Sequence, residues 1–177
     1  LPMVQFAISI LLVSVVLLSA PGDRLNRLFT GFLIALGIWG ISIFLMRDAF
    51  PDADRAYTIE KIALAAIPFT SIFFYHFVHT FTGAKRNKSV LISFYGMGTI
   101  AALLSLLGFT ADGMVEKFYG FAPVITPFFG LILLASYPPV ALAIWDIRKA
   151  LKNSHSRRAN QLRLLRLGAI VSLLGAT

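Results

Sequence analysis

Apolar residues in this chain gather into blocks of about twenty, separated by short polar stretches, and no strict two-residue alternation runs through any block. The blocks run from Pro2 to Ala20, Leu28 to Met46, Ile59 to Thr82, Val90 to Thr110 and Val124 to Ile147, and Leu167 to Thr177 opens a sixth. At 1.5 Å of rise per residue, about twenty helical residues cross the roughly 30 Å of hydrocarbon in a bilayer. A spanning backbone must satisfy its own polar groups, so blocks without alternation predict helices rather than a barrel. The expected fold is all-α: a single domain over 1–177, a polytopic transmembrane bundle of five complete helices and part of a sixth. Because the last block covers only half a span, the sequence is expected to be a fragment of a longer chain.

Charge is expected only at the block ends. Glu60 and Lys61 open the third block and Asp146 lies near the end of the fifth, where side chains can reach headgroups. Twelve of the sixteen basic residues fall in the first, third and fifth connections: Arg24 and Arg27; Lys85, Arg86 and Lys88; and Arg148 through Arg166. The other connections hold six of the eight acids, counting Glu60 at the third block's edge. The positive-inside rule then predicts an outside N-terminus and a cytoplasmic position for the three basic connections. The same topology accounts for the net charge of +8 and pI near 10.2. The expected partner of the basic connections is anionic lipid, not nucleic acid. Leu1 to Ala20 lacks the basic start of a signal peptide, and Arg24 and Arg27 follow it as a cytoplasmic stop. With no cysteine, disulfides and thiolate metal sites are excluded.

Polar residues inside the blocks are few. His76 and His79 stand three apart in the third block with Tyr75 and Thr80, and share one helix face. Bis-histidine haem needs ligands on opposite sides of the iron, and no other block holds a histidine. A metal would need carboxylates that lie mostly at the opposite membrane face, so neither cofactor nor metal is expected. The histidines then either bond neighbouring helices or water near the headgroups, or form a pH- or ligand-sensitive pair. Pro68 interrupts the third block and Pro138-Pro139 the fifth; each frees carbonyls that Thr70 or Ser136 could serve. Such a kink is either a fixed packing shape or a hinge carrying a signal. Most of the abundant aromatics suit lipid-facing, packing or interfacial positions, Tyr57, Tyr119 and Phe121 among the last. Trp39, Phe69, Phe128 and Phe129 are candidates for an outward-opening pocket for a small apolar or amphipathic ligand. Gly96-Met97-Gly98 reads as close helix packing. From Arg148 to Arg166 the pattern is helical, with Leu162 and Leu165 on one side and basic residues around them. No nucleophile elbow, zinc-protease motif or phosphate loop is present, so no catalytic residues are assigned.

Asn26-Arg27-Leu28-Phe29, the following span with Trp39, and the proline-containing third span closing in Tyr75-His76-Phe77-Val78-His79-Thr80-Phe81-Thr82-Gly83 together resemble the N-terminal seven-transmembrane region of bacterial sensor histidine kinases. The basic run from Ser156 to Gly168 is similar to that family as well, and the resemblance covers nearly the whole chain. It implies an input module of the bacterial inner membrane. A seventh span would join it to a cytoplasmic kinase, or in related proteins to a diguanylate cyclase, with dimerisation through the full-length protein. It implies no ligand and no phosphoacceptor, since His155 lies in a short basic loop. A sensory, signal-transducing domain is thus the leading expectation, with Pro68, Pro138, Pro139, His76 and His79 carrying the signal. A transporter or channel subunit is the rival, and the lack of acids in mid-span speaks against it.

Overall fold

A computed structural model of the chain describes residues 2–20, 22–49, 52–85, 88–117, 120–152 and 159–167. Its elements are α1 (Pro2–Ser19), α2 (Arg24–Asp48), α3 (Ala53–Thr82), α4 (Lys88–Leu106), β1 (Ala111–Lys117), β2 (Gly120–Ile125) and α5 (Phe129–Lys152), and residues 159–167 are helical. Among the described residues four helices, α2 to α5, are long and apolar enough to cross a membrane. The 18-residue α1 is a shorter apolar helix, so the expected five complete spans reduce to four by length and composition. Most of the expected sixth block lies outside the described residues.

The chain is not all-α. Where the hydropathy blocks ran to Thr110 and resumed at Val124, an antiparallel hairpin intervenes, with Lys117 paired to Gly120, Glu116 to Phe121 and Val115 to Ala122. Helix α4 stops at Leu106, and the chain turns at Gly108 with φ 86°. That position must be glycine: a side chain would sit in the left-handed region and meet the Tyr57 hydroxyl at 2.8 Å. Tyr57 donates to the carbonyl of Ala111 at 2.7 Å, pinning the hairpin to α3. Phe121, expected in an interfacial belt, is buried among Met46, Ala49 and Ala56; Tyr119 lies outside the described residues.

Caps explain the helix limits. Asp52 accepts from the Arg55 amide at 2.9 Å, so α3 begins six residues before its apolar block and runs 30 residues, about 45 Å. It ends at Gly83, left-handed at φ 67°, whose amide returns to the last turn. Between α1 and α2 the turn is closed by Asn26, which donates to the carbonyl of Ala20 at 3.1 Å, and by Asp23 capping the Leu25 amide.

Helix α3 is the hub, packing against α2, α4, α5 and the hairpin, while α1 lies on α2. Helices α3 and α5 both leave the hairpin end and run to the basic end. In a bilayer, close packing rather than the hydrophobic effect holds helices together. Among the described glycines the tightest approach is at Gly98 of α4, where an added Cβ would collide with Ile72 and lie 3.6 Å from Cβ of Pro68. Gly98 thus fulfils the packing expectation; Gly96 faces open space and does not. Three buried clusters stack along the bundle. Met46, Ala49, Ala56 and Phe121 lie at the hairpin end, and Leu64, Ala101, Ala111, Ile132 and Ala135 follow. At the basic end stand Ile72, Tyr75, Val78, Phe94, Ala143, Ile147 and Leu162. The outer surface carries exposed Leu18, Ile92, Ile100, Leu107, Leu134 and Trp145, the composition of a lipid-facing wall.

Candidate functional site

The last two turns of α3 bring polar groups from four helices to one level. His76 meets Arg24 of α2 and Tyr95 of α4: its Nε2 is 3.3 Å from the guanidinium and its Nδ1 is 3.0 Å from the phenol oxygen. A guanidinium only donates, so Nε2 must accept. Assigned from this network, the imidazole is neutral, and its proton sits on Nδ1, donated to Tyr95 Oη. His79 instead turns to α5, with Nδ1 3.5 Å from Oδ2 of Asp146. Asp146 is 3% exposed and His79 21%, so the carboxylate is the more deeply buried of the two. Behind the pair, the buried Tyr75 ring packs against His79 at 5.7 Å and edge-on to Phe94 at 5.4 Å.

The two histidines therefore do not share a ligand. Three residues apart, they point toward different neighbours and together connect α3 to α2, α4 and α5. No group of three or more potential metal ligands occurs among the described residues. Directly against this level, Leu162 of the 159–167 helix is fully buried with Val78, Ala143 and Ile147, and Leu165 packs beside it. The expected one-sided placement of Leu162 and Leu165 is thus met, with the basic segment docked under the bundle.

Two expectations about acids are corrected. Asp146 is buried rather than turned outward, because it lies on the face of α5 that packs against α3. Glu60 is 5% exposed, because the Asp52 cap starts the helix early and leaves it two turns inside α3. Its Oε2 has no hydrogen-bond partner among the described residues. The prolines lie deep, Pro68 and Pro139 being fully buried. Neither hydroxyl serves as expected: Thr70 bonds back to the carbonyl of Ala66 at 3.2 Å, and Ser136 Oγ has no partner among the described residues.

The four pocket aromatics are dispersed. Trp39 lines a groove of about 470 Å³ between α1 and α2 with Gln5, Ser9, Leu33, Leu36 and Ile43. Phe69 packs on Phe73 within α3, Phe129 belongs with the middle cluster, and Phe128 lines a separate groove near the hairpin, edge-on to Phe109. Arg24, Tyr95 and Asp146 were not expected as partners of the histidines. One signal was available: His79 and Asp146 each stand within two turns of the basic end of parallel helices. A scan of protein families, a search of curated proteins and a search of solved structures find no match to the chain.

Proposed function

We propose that this chain is the sensory input domain of a bacterial inner-membrane receptor. In this reading the N-terminus and hairpin end lie outside, the basic end faces the cytoplasm, and the complete bundle has seven helices. The full-length protein works as a dimer and passes its signal to an output domain such as a histidine kinase. The observation that carries the reading is the level of His76 and His79. Ionisable groups inside a membrane are costly and mark function by default. Here they tie four helices together in contact with the docked segment 159–167. A stimulus that alters α2, α3 or α5 nearer the hairpin, for instance a lipid-like molecule in the Trp39 groove, would reach that segment through rigid helices. It can bias the bundle only by the difference in its affinity for two states.

The test has two arms in the full-length protein. Cysteines at Lys85 and Asp112, with any cysteine outside residues 1–177 replaced, should be shielded and labelled respectively by an impermeant thiol reagent applied outside cells. Asp146→Asn should lock the output high or low, with expression unchanged. Reversed labelling would overturn the orientation, and wild-type output in Asp146→Asn would overturn signal transfer through this level.

A second reading, a transporter or channel subunit, gains from the burial of Glu60 and Asp146, since coupled transport uses buried acids. Proton or cation flux through liposomes containing the chain, abolished by Glu60→Gln, would favour it over the receptor.

A further inference from the structure

Two buried polar side chains at the hairpin end stand without a partner, and they belong to different elements. Glu60 of α3 is 5% exposed, and Thr110, at the base of the hairpin, is fully buried. Glu60 Oε2 and Thr110 Oγ1 each lack a hydrogen-bond partner among the described residues. Packing brings them to one level. The hydroxyl of Tyr57, one turn before Glu60, donates to the carbonyls of Gly108 and Ala111 at 3.3 and 2.7 Å. Leu64, one turn after Glu60, is buried in one cluster with Ala111. The strip 108–111, which carries Thr110, therefore passes Glu60. Ala56, also one turn before Glu60, is closed in by Met46, Ala49 and Phe121. Apolar clusters thus bound the place on both sides, which suits a single ion better than an organic molecule.

We infer that Glu60 and Thr110 form a binding site for one monovalent metal cation, reached from the hairpin end. A buried carboxylate needs a paired charge or a metal. A cation held between it and the Thr110 hydroxyl oxygen satisfies both side chains at once, whereas a proton on Glu60 leaves Thr110 as it is. The carbonyls of Gly108 and Ala111 each keep a second lone pair beside the Tyr57 bond, so every donor here is an oxygen, the ligand of hard cations. Charge sets the class. Glu60 is the only buried acid at this end among the described residues, and one carboxylate neutralises one positive charge, where calcium sites gather several. The approach favours cations as well: Asp48, Asp52, Asp54, Asp112 and Glu116 are exposed around the hairpin end and raise the local cation concentration. Arg55 and Lys117 are exposed among them, and Lys61 turns onto the Tyr57 ring, its Nζ 4.8 Å from the centroid. Because Glu60 comes from α3 and Thr110 from the hairpin connection, a bound cation ties the two together and holds the hairpin down. The site stands for a receptor and for a transporter alike.

The test is amide hydrogen exchange over 108–125 for the chain in lipid nanodiscs, at fixed pH and ionic strength, with sodium chloride or potassium chloride replacing N-methylglucamine chloride. A ligand held only by the closed state slows exchange by the factor 1 + [L]/Kd, so above Kd a tenfold rise in sodium or potassium should slow it about tenfold. Glu60→Gln, which keeps the shape and removes the charge, should abolish the dependence. Thr110→Val should raise the concentration needed by about tenfold, the loss of roughly one polar contact, while Thr110→Ser restores the hydroxyl and keeps the dependence. The Thr110 pair decides alone if Glu60→Gln does not fold. Equal exchange in sodium, potassium and N-methylglucamine overturns the site, as does a cation dependence that survives Glu60→Gln or is untouched by Thr110→Val. Exchange that responds only to pH, through Glu60, overturns it too, because the carboxyl then takes a proton and no metal. Because the readout is hairpin opening and neither output nor flux, such a failure leaves both functional readings to their own tests.

Discussion

Replacing Leu162 with Ala tests whether segment 159–167 is truly joined to the bundle. Leu162, at 0% exposure, is the most buried of the described side chains on this segment. Buried Leu to Ala changes cost about 2–5 kcal/mol; at the end of a bundle, where the site can relax, about 2–3 kcal/mol is expected. At 1.4 kcal/mol per factor of ten, that weakens docking about 30- to 150-fold. The assay is the rate of thiol modification of Ala159→Cys, a buried position on the same segment, with and without Leu162→Ala. The rate should rise by about the same factor wherever docking is fast compared with labelling. Leu164→Ala, at a position 71% exposed, should leave it nearly unchanged. Equal protection in Leu162→Ala and the parent would refute the docked segment and, with it, the route from the His79 level to the basic end.

Two further substitutions probe what positions the site. Gly98→Val should destabilise the bundle by about 1–3 kcal/mol in detergent melts, because the new side chain meets buried Ile72 and Pro68; Gly96→Val, facing open space, should not. Tyr57→Phe removes the bond to the Ala111 carbonyl and should loosen the hairpin by about 1 kcal/mol, seen as faster hydrogen exchange over 111–125 with the basic end unaffected.

Hydropathy located the four spanning helices because span length and apolar composition are local properties. It could not locate their ends, which depend on single residues: Asp52 caps α3 early and carries Glu60 inside, and Gly108 ends the α4 connection. The hairpin was invisible for a related reason. Asp112-Gly113-Met114-Val115-Glu116-Lys117 has no alternation, and its placement depends on Tyr57 and on Phe121 entering the α2–α3 cluster. Of the candidate site, His76 and His79 were legible as rare polar residues in apolar sequence. Their partners were not, since Arg24, Tyr95 and Asp146 lie on three other helices and meet α3 only through packing. Residue type says nothing of facing, so the sequence could not show that Trp39 and Phe128 line different grooves.

The central claim is that His79 and Asp146 act as one unit in passing a signal between α3 and α5. A double-mutant cycle on the output activity of the full-length protein tests it most directly, using His79→Gln, Asp146→Asn and both together. Residues that act as a unit are strongly non-additive. Each single change is predicted to shift output as far as the pair does, leaving the double variant no further displaced. Effects that simply add, or single variants with wild-type output, would contradict it.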